Sequence, residues 1–148
     1  MRKIRVFAVV SALTVVFIWG NSILPASVSG SISHFFADIF HGISGSGATS
    51  DEIIRKVAHF AEFAVLGVWL TTLFSLLKID KAVRVMSVVC CGMFFPLLDE
   101  TIQMFNDRGP SVRDIWIDIA GYTLGSLIVA LIVVITRKMK KEQKEPCP

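Results

Sequence analysis

Polar and apolar positions alternate along this chain in long blocks, not residue by residue. Apolar stretches cover about residues 6–24, 57–77, 83–105 and 115–135. Each is about twenty residues long, enough at 1.5 Å rise per residue to cross a hydrocarbon layer of roughly 30 Å. The pattern predicts an all-α protein, a bundle of four transmembrane helices. The third stretch is the least regular: Arg84 and Pro96 interrupt it, and its uncharged run extends only from Val85 to Leu98. It spans if Arg84 snorkels at one interface and the turns from Asp99 to Phe105 reach the other.

A second period lies between the first two spans. Ile32, Phe35, Phe36, Ile39, Phe40 and Ile43 recur at helical spacing, with Ser33, His34, Asp38 and His41 mostly on the remaining surface. This predicts a short amphipathic helix over 31–44 in the first outer loop, lying in the interface or folded over the bundle as a lid. His34 and His41 share a face and offer a metal pair, although two solvated histidines on a polar face are the more ordinary reading. The glycine-rich segment from Gly42 to Thr49 reads as a hinge.

The helix ends carry their own signals. Thr49-Ser50-Asp51-Glu52 and Ser111-Val112-Arg113-Asp114 are capping boxes, the latter following Pro110, and Asp80 is placed to cap the third helix. Arg55, His59 and Glu62 share one face of the second helix. Gly92, Pro96, Asp99 and Gln103 share one face of the third, where the proline frees a carbonyl a turn earlier. Asp114, Asp118, Gly121 and Gly125 form a stripe on the fourth. The small-xxx-small pair Gly121/Gly125 predicts that this stripe packs inward on the second or third helix, with Ser126 on another, more tolerant face.

Composition agrees with a membrane protein: 53% of the 148 residues are hydrophobic and the mean hydropathy is +0.66. That length accommodates a single integral membrane domain over 1–148. Of the 15 Lys and Arg residues, Arg2, Lys3, Arg5, Lys78, Lys81, Arg84, Arg137, Lys138, Lys140, Lys141 and Lys144 fall on one side of the spans. Only Arg55, Lys56, Arg108 and Arg113 fall on the other. The asymmetry predicts cytoplasmic termini and a basic cytoplasmic tail over 136–148. The net charge of +3 is therefore a topology signal and gives no reason to invoke nucleic acid. The first 30 residues also resemble a signal peptide, but their apolar run exceeds the usual core of about 7–15 residues, so an uncleaved span is expected. Cys90, Cys91 and Cys147 form no disulfide framework and read as core and tail thiols.

The chemistry concentrates at one end of the predicted bundle. Alternate threading brings His59 and Glu62, Asp99, Glu100 and Gln103, and Asp114 and Asp118 to the same membrane face, with Arg55, Lys56, Arg108 and Arg113 around them. A charged group at membrane depth costs about 2.5–3.5 kcal/mol, so such groups face protein or water and mark working sites. His59, Glu62, Asp99, Glu100 and Asp118 are the candidate acid–base groups. Arg55, Lys56, Gln103, Arg108, Arg113 and Asp114 are the candidate ligand contacts. The plain alternative is a self-neutralising network that locks helix ends, with Asp114 an N-cap. No HExxH, GxSxG, CxxC or phosphate-binding glycine loop occurs, and nothing calls for a cofactor or a metal.

Two blocks, RKVAHFAEFAVLG (Arg55–Gly67) and DETIQMFNDRGPSVRDIWIDIAGYTLG (Asp99–Gly125), resemble the VanZ-like family of small bacterial membrane proteins. That family is named for a protein linked to resistance to the glycopeptide teicoplanin. The matching positions include His59, Glu62, Asp99, Glu100, Gln103, Arg108, Ser111, Asp114, Gly121 and Gly125. NSILPASVSGSIS adds a weaker match through Ser22, Pro25, Ser29 and Ser33. Phe63 stands where many relatives have Tyr, and Asp118 where relatives often have Asn, which makes this site the more acidic. The resemblance implies a bacterial cytoplasmic membrane protein with a shared outer-face site, in the setting of antibiotic tolerance.

Three function classes fit. The first is a binding module that engages an anionic envelope lipid or a lipid-linked cell-wall precursor, without catalysis. The second is a membrane enzyme with Glu62 or Asp118 as acid or base, His59 as partner and Arg108 and Arg113 holding phosphate. The third is a proton- or cation-coupled carrier, for which a homo-oligomer is expected because four helices enclose little volume.

Overall fold

The computed structural model describes residues 2–23, 51–105 and 111–143. These form four helices, α1 (Arg2–Ile23), α2 (Asp51–Leu76), α3 (Lys81–Met104) and α4 (Val112–Glu142), with no strand among the described residues. All four are long and apolar enough to cross a membrane, as the block pattern predicts. The expected interfacial helix at 31–44, the hinge after it, and Arg108 and Pro110 lie outside the described residues.

The bundle inverts the surface of a water-soluble protein. Leu13, Phe17, Leu127 and Leu131 are each about 60% exposed, while Asp99, Asp118, Glu100 and Gln103 are buried. Apolar side chains facing outward lose nothing in hydrocarbon, and polar ones facing inward escape it. The apolar core is Ile18, Phe63, Leu66, Leu70 and Tyr122, flanked by Val15, Trp19, Leu73, Phe74, Val88, Cys91 and Phe95. Hydroxyls elsewhere fold back onto their own helices, as when Ser11 donates to the Phe7 carbonyl at 2.7 Å and Thr72 to that of Val68 at 2.7 Å.

Among the described residues the α2–α4 contact is the closest between helices. A Cβ added at Gly121 would strike the carbonyl of Phe60, and one at Gly125 the carbonyl of Ala64. The closeness is reciprocal, since a Cβ at Gly67 of α2 would strike the carbonyl of Tyr122. Backbones approach this closely only where side chains are absent. The predicted stripe therefore packs inward on α2, and Gly67 is a partner that the fourth helix alone did not reveal. Ser126 departs from expectation in its surroundings: it is buried, on a covered face of the helix. Its neighbour Tyr122 packs its ring on Gly92 and donates its hydroxyl to the Val88 carbonyl at 3.0 Å. With α2 against one stripe and α3 against the next, the covered arc of α4 is wider than its glycines.

Two further expectations change. Arg84 does not simply snorkel: its guanidinium donates to the carbonyls of Phe74 at 3.0 Å, Leu77 at 3.4 Å and Ile79 at 3.2 Å. It thereby caps the C-terminal end of α2, whose last carbonyls have no helical donor. Asp80 occupies the N-cap position of α3, but its side chain makes no capping hydrogen bond. Cys90 is exposed, not in the core, and Cys91 is half-buried. At 1.5 Å per residue, α4 is about 46 Å long, so its basic end from Arg137 projects beyond a hydrocarbon core of roughly 30 Å.

Candidate functional site

The antiparallel course of the helices sets the end of α1, the start of α2, the end of α3 and the start of α4 at one end of the bundle. Asp99, near the end of α3, is fully buried at the centre of this end. Its Oδ1 accepts from the Ser22 hydroxyl at 2.6 Å and its Oδ2 from the Gln103 amide at 2.7 Å. The Gln103 bond follows from helical i, i+4 spacing. The Ser22 bond joins residues 77 positions apart.

His59 stands between two carboxylates, with Nδ1 at 3.9 Å from Asp99 Oδ2 and 4.0 Å from Glu62 Oε2. Glu62 is held from α1, where the Asn21 amide donates to its Oε1 at 3.1 Å. Asp118 of α4 is 1% exposed, and its Oδ1 has no hydrogen-bond partner among the described residues. One ligand atom from each of His59, Asp99 and Asp118 lies within 4.8 Å of the others. Asp114, one turn nearer the end of α4, also keeps a buried Oδ1 without a partner among the described residues.

A cleft lined by Arg55, Lys56, His59, Gln103, Asp114, Ile117 and Asp118 opens onto this group. Its free space is about 10 Å³, enough for a particle the size of water. Six of the predicted residues line it together, two cations among them. Arg113 is exposed and does not line it. Glu100 is buried but directed elsewhere: its Oε1 accepts from the backbone N–H of Ser111, binding the end of α3 to the start of α4. The second capping box is thus rearranged, with a carboxylate from another helix taking a donor that the box would assign to Asp114.

Asn21 and Ser22 are the site residues that helix-by-helix reading passes over. Their signal was present: two adjacent polar residues close an otherwise apolar span. A hydrogen-bonding group so placed must find a partner within the bundle or at its surface.

The arrangement supplies buried carboxylates, an imidazole between them, fixed amide and hydroxyl donors around Asp99, and cations at the cleft. No curated protein and no solved structure matches the sequence. A sequence model of VanZ/LLP1 matches residues 7–133, a range that covers most of each of the four helices and every residue of the cluster. This chain belongs to the VanZ/LLP1 family of membrane proteins.

Proposed function

We propose that this is a protein of the bacterial cytoplasmic membrane, with both termini cytoplasmic, whose outer-face polar cleft engages the phosphorylated headgroup of an anionic envelope lipid or lipid-linked cell-wall precursor. The observation that carries the reading is the half-exposed cation pair on the wall of the cleft, which a phosphate can reach from outside although the cleft itself holds only a water-sized group. Arg55 and Lys56 line its wall beside buried His59, Gln103 and Asp118. Cations beside hydrogen-bonding groups at the edge of a bilayer suit a phosphate ester, and Arg adds a planar donor fork. The family's link to teicoplanin sets the context of glycopeptide tolerance.

Native mass spectrometry of the purified chain tests the proposal. Wild-type protein should retain a phosphorylated lipid that Arg55→Gln/Lys56→Gln protein loses. Equal retention by both would remove the reading.

One contact favours an enzyme as the second reading: His59 Nδ1 lies within 4.0 Å of both Glu62 and Asp99, and a small side-chain rotation would bring it into the roughly 2.6–3.2 Å reach that proton transfer needs. Turnover of a labelled phosphorylated lipid by the purified chain, abolished in Glu62→Gln, would establish it.

A further inference from the structure

A phosphate approaching this cleft meets Asp118 in its wall, with Asp99 buried close by, and carboxylates disfavour an anion there unless something positive lies between. We propose that His59, Asp99 and Asp118 form a binding site for a first-row divalent cation, Zn²⁺ or Mn²⁺. The site is the one assigned above to the lipid headgroup, and the ion's contact with phosphate rests on that reading. The ion site itself rests on the three side chains.

The donor set is one imidazole nitrogen and two carboxylates, each side chain at least nine-tenths buried. Such a set suits a borderline divalent cation better than the all-oxygen preference of Mg²⁺ or Ca²⁺. The spacing is close to what is needed. Bonds of about 2.1 Å in a tetrahedral site put ligand atoms about 3.4 Å apart, against 3.9 Å between His59 Nδ1 and Asp99 Oδ2 and at most 4.8 Å for any pair. Small side-chain rotations close that difference.

Two independent features support an ion over a bare carboxylate cluster. Asp118 is 1% exposed and keeps Oδ1 unpartnered among the described residues. Leaving a buried carboxylate oxygen unsatisfied is costly, and a cation removes the cost. Asp99 is also braced as a ligating carboxylate is, by Ser22 on one oxygen and Gln103 on the other. Neutral donors of this kind orient a ligand without competing for its charge. Gln103 lines the cleft as well, whose space of about 10 Å³ is that of a single water-sized particle.

The test uses the full chain in non-ionic detergent, stripped with chelator and then dialysed against Zn²⁺ or Mn²⁺, with Mg²⁺ and Ca²⁺ as comparators. One equivalent of Zn²⁺ or Mn²⁺ per chain is expected. Asp118→Asn should weaken binding by about a hundredfold or more. Gln103→Ala, which removes only a brace, should weaken it about 10–100-fold. Asp80→Asn, an exposed carboxylate at the opposite end of the bundle, should stay within about threefold of wild type. Spin-echo spectra of the Mn²⁺-loaded chain should show an imidazole nitrogen coupling that His59→Gln abolishes.

Absence of a bound equivalent in the wild type overturns the proposal whatever the variants do. A loss in Asp80→Asn equal to that in Asp118→Asn, or Mn²⁺ without nitrogen coupling, overturns it in favour of loose electrostatic attraction. Stoichiometric metal with no lipid retained would keep the ion site and defeat the headgroup reading. Lipid retained by a chain that takes up no metal would do the reverse.

Discussion

At Asp99 a single side chain gathers three helices. Its two oxygens accept from Ser22 of α1 and Gln103 of α3, and His59 of α2 stands 3.9 Å away. Water cannot replace a lost partner at a fully buried position. Ser22→Ala should therefore cost about 1–3 kcal/mol, the usual consequence of leaving a buried acceptor unmatched, read as a lower unfolding midpoint in detergent titration. Asp118 has the opposite character, a buried carboxylate with Oδ1 unpartnered among the described residues. Asp118→Asn keeps shape and most hydrogen bonding but discards the charge. Under the proposed function it should abolish lipid retention and any tolerance phenotype while membrane abundance stays unchanged, as should Glu62→Gln. Disappearance of both variants from the membrane would show that the network serves only to hold the helices.

Among the elements, α2 and α4 are the paired backbone of the molecule. Gly121 and Gly125 face the carbonyls of Phe60 and Ala64, and Gly67 faces that of Tyr122. Gly125→Leu would have to separate the helices and pull Asp118 from His59. Loss of lipid retention and a reduced folded yield are expected, measured by size-exclusion profile and detergent unfolding. Ser126→Leu should also be damaging, because Ser126 is buried beside the Tyr122 contact with α3. Thr123→Leu, on the exposed side of the same helix, should be tolerated. If Ser126→Leu behaves like Thr123→Leu, the packing assigned to α4 is wrong. Arg84 acts at this scale too, since its bonds to Phe74, Leu77 and Ile79 make the short α2–α3 connection a fixed corner.

For the whole molecule the question is which side the polar end faces. The Lys and Arg asymmetry predicts that this end lies outside. Single cysteines at Ser46 and Asp107, in a background lacking Cys90, Cys91 and Cys147, should react with an impermeant thiol reagent in intact cells. One at Lys81 should not. Outside labelling of Lys81 would reverse the orientation and, with it, the assignment of the cleft to an envelope ligand.

The four spans were determined by sequence alone because partition into a bilayer is largely a property of each segment, set by its length and its apolar content. The faces within each helix were legible for the same reason. The 3.6-residue period places Asp99 with Gln103, and Asp118 with Gly121 and Gly125, whatever surrounds them. Alternate threading then implied that His59, Glu62, Asp99, Asp114 and Asp118 meet at one end. What only the tertiary structure decided depends on how each helix is rotated against its neighbours. Ser22 reaches Asp99 across 77 positions, and Asn21 reaches Glu62 across 41. Glu100 accepts the Ser111 N–H, Arg84 finds the end of α2, and Ser126 is covered. A local pattern states which side chains share a helix face. It does not state which face of another helix lies opposite, because that is settled by the close fit of all four helices at once.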